Sequence, residues 1–109
     1  MDSFQEYQRL AAEVPVALRN NRDRIELPVL GLQEGAGKVG SVLKVVFESG
    51  RFLLTAEQSN EVKDRLADVL WCIARLCSET GISMQELATH SITQLQARTK
   101  GLDPDRRQV

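Results

Sequence analysis

Apolar residues recur at steps of three and four along most of the chain, and no stretch alternates with a period of two for long enough to form a strand. The pattern predicts helices alone. Ser3 followed by Glu6 makes a capping box, which satisfies the free amides at a helix start, and Phe4, Tyr7, Leu10, Ala11 and Val14 follow at helical spacing. Pro15 and the polar run Arg19-Asn20-Asn21-Arg22-Asp23 close this short first helix and predict a loop to about Glu26. Pro28 suits an early position of a second helix, where its missing amide is not needed. Val29, Leu32, Ala36, Val39, Leu43, Val46 and Phe47 form that helix's apolar stripe, and Ser49-Gly50 stops it. Thr55 with Gln58 makes a second capping box. It opens a third helix over about 56–79, with Val62, Leu66, Val69, Leu70, Ile73, Leu76 and Cys77 on its apolar face. Gly81 supplies the stop. Ser83 with Glu86 then opens a fourth helix carrying Met84, Leu87, Ala88, Ile92 and Leu95, which Lys100-Gly101 ends.

Gly31, Gly35, Gly37 and Gly40 interrupt the second helix, and each costs an exposed helix up to about 1 kcal/mol relative to alanine. Such a concentration points to close approach by another helix, a local break or a ligand-facing surface. Short loops between long amphipathic helices predict an all-α, antiparallel bundle of about four helices. The chain is read as one helical domain over residues 1–101, followed by a flexible polar tail over 102–109 that contains Pro104. With one helix short and three long, part of the apolar surface is expected to be covered by another subunit, giving a homodimer or a dimer of dimers.

Composition narrows the partners more than the fold. The 109 residues suffice for one domain, 42% are hydrophobic and only 5% aromatic, so the core is aliphatic. With 14 basic against 15 acidic residues and a net charge of −1, no overall field attracts nucleic acid or an anionic membrane. Arg22, Arg24, Arg106 and Arg107 lie in polar stretches without interleaved aromatics and read as solvated surface. Cys72 and Cys77 lie five positions apart in one helix, on different faces, so they form neither a disulfide nor a zinc site and behave as small core hydrophobes in a reducing cytoplasm. The opening MDSFQEYQRLAAE carries early acids and no apolar run, which argues against a signal peptide, and nothing approaches the roughly 18 apolar residues of a membrane span.

Two segments carry the chemistry. Leu30-Gly31-Leu32-Gln33-Glu34-Gly35-Ala36-Gly37-Lys38-Val39, followed after a loop by Arg65-Leu66-Ala67-Asp68-Val69-Leu70-Trp71, resembles the paired helices of the MazG-like all-α nucleotide pyrophosphohydrolases. The stretch from Gly81 to Leu87 and the opening from Phe4 to Gln8 are similar to the same family, so the resemblance covers roughly residues 4 to 101. It implies hydrolysis of a nucleoside triphosphate to the monophosphate and pyrophosphate. An ExxE pair on the second helix and an ExxD pair on the third, each set on one helix face by its spacing of three, would hold Mg²⁺.

The chain departs from that pattern. In the glycine-and-apolar frame the ExxE positions fall on Gly35 and Lys38, the ExxD positions on Arg65 and Asp68, and the downstream Asn and Lys positions on Ser91 and Gln94. Only Asp68 keeps the expected chemistry. One carboxylate cannot build the near-octahedral oxygen cage that Mg²⁺ requires, and two of the replacements are cations that repel a metal. A displaced site from Glu34, Asp64 and Asp68, with Glu61 one turn before, competes with the reading of these residues as a solvated acidic face. Lys38, Arg65 and Asp68 admit two further readings: an ion-pair cluster that compensates Asp68, or a site where Lys38 and Arg65 hold a nucleotide or other phosphate directly. Trp71 suits a core or subunit contact, with base stacking as the alternative. His90 has no catalytic partner near it in sequence and reads as surface, and Met84 as core.

The expectation is a degenerate, catalytically dead or very weak relative that binds a nucleotide-like ligand, or pairs with another protein, and needs no cofactor. The alternatives are an active pyrophosphohydrolase using Mg²⁺ or Mn²⁺ at a rearranged carboxylate site, and a non-catalytic bundle that binds a partner helix.

Overall fold

The structure is a computed structural model that describes residues 3–101, so the tail expected over 102–109 lies outside the described residues. It contains four helices, α1 (Phe4–Glu13), α2 (Asp23–Glu48), α3 (Ala56–Thr80) and α4 (Met84–Lys100), and no strand among the described residues. The predicted caps are formed. The Glu6 amide donates to Ser3 Oγ at 3.1 Å and the Glu86 amide to Ser83 Oγ at 3.3 Å. At the start of α3 both bonds of the box are present: the Gln58 amide donates to Thr55 Oγ1 and the Thr55 amide to Gln58 Oε1. Gly81 turns left-handed at φ 74°, which brings the Ile82 amide to Cys77 O at 2.8 Å and closes the end of α3.

The start of α2 differs from the expected loop to Glu26. The helix begins at Asp23, so Pro28 stands inside it. The polar run before it is itself a built turn. The Asp23 amide bonds Asn20 Oδ1 and Asn20 O, and the Asp23 carboxylate reaches back to accept from the Arg19 amide at 2.8 Å and from Arg19 Nε at 3.2 Å. These bonds let Asp23 be 1% exposed although charged, because a buried carboxylate is tolerated only when its oxygens are satisfied.

The core is small. Ala11, Ala74, Cys77 and Met84 form its buried centre, with Tyr7, Leu70, Trp71 and Ile73 packed around it. It therefore joins α1, α3 and the first turn of α4. Polar contacts fix the same junction. Gln8 accepts from the Met84 amide through Oε1 and donates from Nε2 to Ile82 O, both at 2.8 Å, so one side chain spans the α3–α4 turn. Trp71 Nε1 donates to Ala11 O, which also accepts from the Val14 amide, and Arg75 Nη1 donates to Ala12 O, one of the carbonyls at the end of α1.

α2 packs along α3, antiparallel, at a glycine seam. A Cβ on Gly31 would lie 2.7 Å from Cys72 Sγ, and one on Gly35 would lie 2.7 Å from Val69 Cγ2. Of the readings open for the four glycines, close approach holds for these two, and α2 runs through them without a break. Gly37 and Gly40 face open space.

Much of the predicted apolar stripe is not covered. Phe47, Leu66, Ile92 and Leu95 are exposed, as is the Phe52-Leu53-Leu54 loop, in which Phe52 and Leu53 are the more open and Phe52 has φ 55°. α4 packs on α1, and every residue from Thr89 to Gly101 is exposed. The radius of gyration is 16.9 Å, against about 13 Å for a compact domain of this length.

Candidate functional site

The seam between α2 and α3 carries a groove whose lining residues follow from helical spacing. Gly31, Glu34, Gly35 and Lys38 lie at steps of three and four on α2, and Arg65, Asp68, Trp71 and Cys72 do the same on α3. These eight residues enclose a cavity of about 220 Å³. Gly31 and Gly35 let the two helices approach closely there, and Lys38, Arg65 and Trp71 are the long side chains of the lining.

Charge inside the cavity is balanced along each helix. Lys38 Nζ lies 2.7 Å from Glu34 Oε1, one turn away on α2. The hydrogen bond from Lys38, then its charge and that of Arg65, hold the Glu34 carboxyl below its usual range. Arg65 Nη1 lies 4.0 Å from Asp68 Oδ2 on α3. The expected cluster of Lys38, Arg65 and Asp68 is thus two separate pairs, because Glu34 is closer to Lys38 than Asp68 is to any cation. The pairing leaves one donor over. Arg65 Nε is buried and has no hydrogen-bond partner. A buried donor left unsatisfied costs about 1–3 kcal/mol, so the Arg65 guanidinium lines the cavity without its full complement of acceptors.

The remaining sequence candidates divide clearly. Glu34, Lys38, Arg65, Asp68 and Trp71 are brought together in one cavity, whereas Glu61 and Asp64 are exposed on α3 and do not line it. Ser91 and Gln94 are exposed on α4, His90 is exposed, and Met84 is buried in the core. Cys72 and Cys77 are free and buried on the two sides of α3, Cys72 against Gly31 and Cys77 in the core. Burial, and for Cys72 the nearby Asp68 charge, pushes both thiols up, away from reactive thiolate.

The cavity offers a divalent metal two carboxylates. Glu34 and Asp68 are the two carboxylates of the cavity, each facing a cation of its own helix. Among the described residues no group of three or more His, Cys, Asp or Glu is arranged to hold a metal ion. Mg²⁺ asks for six oxygen ligands in near-ideal geometry.

A second cavity, of about 110 Å³, continues the groove beyond Gly31, Trp71 and Cys72, which line both. Its other walls come from Val16, Leu18, Asp23, Arg24, Leu27, Pro28 and Arg75. Arg24 and Arg75 were not among the sequence candidates. The signal was available for Arg75, which lies four residues after Trp71 on the face that carries Asp68. It was not available for Val16 and Leu18, which reach the groove only through the turn before α2.

Compared with protein-family models, curated proteins and solved structures, the chain matches none. No helix among the described residues is long and apolar enough to cross a membrane.

Proposed function

We propose that this chain is a degenerate relative of the MazG-like nucleotide pyrophosphohydrolases that binds a nucleoside phosphate or a related phosphate ligand without metal and without turning it over. The observation that carries the reading is the pair of cations, Lys38 on α2 and Arg65 on α3, which face one cavity at positions where the resemblance calls for metal-binding carboxylates. Arg65 adds a buried Nε with no partner, and a guanidinium's planar fork suits a phosphate's oxygens. In the free protein Glu34 and Asp68 stand in for the ligand by pairing with the two cations. An arriving phosphate competes with them, and the carboxylates keep the empty groove from carrying uncompensated charge. The bound phosphate is held by direct charge-assisted hydrogen bonds in place of an ion bridge.

The working unit is a homodimer or a dimer of dimers in the cytoplasm. Exposed Phe47, Phe52, Leu53, Ile92 and Leu95 support this, since a second copy would cover large apolar side chains that the chain itself leaves open. A regulatory role, or pairing with a catalytically active paralogue, follows from the same surface. The alternative of an active metal enzyme draws on one observation, that Glu34 and Asp68 line the same cavity.

The test is calorimetric titration with inorganic pyrophosphate in chelator, comparing the native chain with a Lys38→Ala, Arg65→Ala double variant. Charge-assisted hydrogen bonds contribute about 1.5–3 kcal/mol each, so affinity should fall by about tenfold or more for each cation removed. Unchanged affinity in the double variant would sink the reading.

A further inference from the structure

The cavity between α2 and α3 holds as many carboxylates as cations, Glu34 and Asp68 beside Lys38 and Arg65, so its lining is formally neutral. Two carboxylates next to the cations weaken the hold on any ligand that is anionic throughout. Their placement along the groove is ordered. α2 and α3 are antiparallel, with Gly31 level with Cys72 and Gly35 level with Val69. That register sets Lys38 opposite Arg65 and Glu34 within a turn of Asp68. The cations therefore stand at one end of the cavity and the carboxylates beside them, four residues away on α2 and three on α3. At the helical rise the cationic and anionic levels are about 5 Å apart.

A phosphate that enters changes the balance of these charges. Lys38 Nζ lies 2.7 Å from Glu34 Oε1, and Arg65 Nη1 lies 4.0 Å from Asp68 Oδ2. A phosphate that takes both cations leaves both carboxylates without their counter-charge and sets its own negative charge next to them. An ammonium on the same ligand, one short spacer from the phosphate, offsets this repulsion. It donates to Glu34 and Asp68 while the phosphate accepts from Lys38 and Arg65. In phosphoethanolamine four bonds join phosphorus to nitrogen, a reach of about 5 Å. The dianionic monoester matches the two cations, whereas the diester of a phospholipid headgroup carries a single negative charge.

We infer, resting on the phosphate reading above, that the ligand of this cavity is a zwitterion: a small, free phosphomonoester with an amine two carbons away, its phosphate at Lys38 and Arg65 and its ammonium at Glu34 and Asp68. Phosphoethanolamine, ethyl phosphate (the same ester without the amine) and inorganic pyrophosphate are titrated calorimetrically into the full chain in chelator. Phosphoethanolamine should bind about tenfold or more tightly than ethyl phosphate, the scale of one charge-assisted hydrogen bond. Glu34→Gln combined with Asp68→Asn alters side chains that are 65% and 67% exposed, so the fold is kept. This double variant should lose the preference by binding phosphoethanolamine more weakly, with no loss of affinity for ethyl phosphate. A preference that survived in the variant would overturn the role of the two carboxylates. Equal affinity of the native chain for both esters, with pyrophosphate still bound, would overturn the zwitterion and leave the phosphate site standing. No binding of any of the three would overturn both. Displacement of phosphoethanolamine by phosphatidylethanolamine vesicles would overturn the free ester in favour of a lipid headgroup.

Discussion

Four glycines in one helix give opposite expectations for one substitution. Alanine removes backbone freedom from the unfolded chain and favours the helix by up to about 1 kcal/mol at any of them. At Gly37 and Gly40 nothing lies within 4 Å of the added Cβ, so that gain should appear undiminished, at about 0.5–1 kcal/mol of added stability. At Gly35 the Cβ would stand 2.7 Å from Val69 Cγ2 and 3.5 Å from the Arg65 carbonyl oxygen. Valine is stiff at χ1 in a helix, so the clash is relieved by moving α3 away from α2. Overpacking of this kind costs about 1–3 kcal/mol, and after the helical gain Gly35→Ala should be destabilised by up to about 2 kcal/mol. Gly31→Ala meets Cys72 Sγ at the same 2.7 Å, but a thiol can rotate, so a smaller loss is expected. Urea denaturation followed by circular dichroism at one protein concentration reads all four as midpoint shifts at constant slope. If Gly35→Ala stabilised the protein as much as Gly37→Ala, the close seam would be refuted.

Three further outcomes follow from named contacts. Arg19, by side-chain and backbone hydrogen bonds, holds the Asp23 carboxyl below its ordinary range. The stability this contributes is present above the unfolded value near pH 3.9 and is lost as pH falls through the lower folded value. The gap in urea midpoint between the native chain and Asp23→Asn should therefore be open at about pH 6 and close toward about pH 2; a gap that did not change with pH would contradict the bond. Gln8→Leu leaves the Met84 amide and Ile82 O without their partner and should cost about 1–2 kcal/mol, read as a lower urea midpoint; an unchanged midpoint would mean that Gln8 does not hold the α3–α4 turn. Cys72 and Cys77 are each 4% exposed with thiols raised by burial, so a chromogenic disulfide reagent should label them only in denaturant, and rapid labelling of the native chain would contradict their burial.

What was legible in the sequence was local. Each cap needed only two residues three apart, Ser3 with Glu6, Thr55 with Gln58 and Ser83 with Glu86, and each is formed. The beginning of α2 was not legible, because Arg19-Asn20-Asn21-Arg22-Asp23 reads as a solvated run until Asp23 is seen folded back onto the Arg19 amide. The glycines announced a close approach without saying which two of four made it, since that depends on which face of α2 meets Val69 and Cys72. At the site, the resemblance singled out Lys38, Arg65 and Asp68, and these line one cavity together with Trp71. It did not give the pairing, because Glu34 lies one turn from Lys38 and wins it from Asp68 at 2.7 Å. On α4 the apolar pattern was legible but its cover was not: Met84 at the first turn enters the core, while Ile92 and Leu95 further along stand exposed.

The central claim is that Lys38 and Arg65 take the place of a metal in holding phosphate. It is tested most directly by titrating a nucleoside triphosphate into the protein twice, once with excess chelator and once with Mg²⁺ or Mn²⁺, while following pyrophosphate release beside an Asp68→Ala control. The expected result is saturable binding in chelator that the metal does not strengthen, and no pyrophosphate above the control. Binding that appears only with the metal, with turnover that Asp68→Ala abolishes, would contradict it.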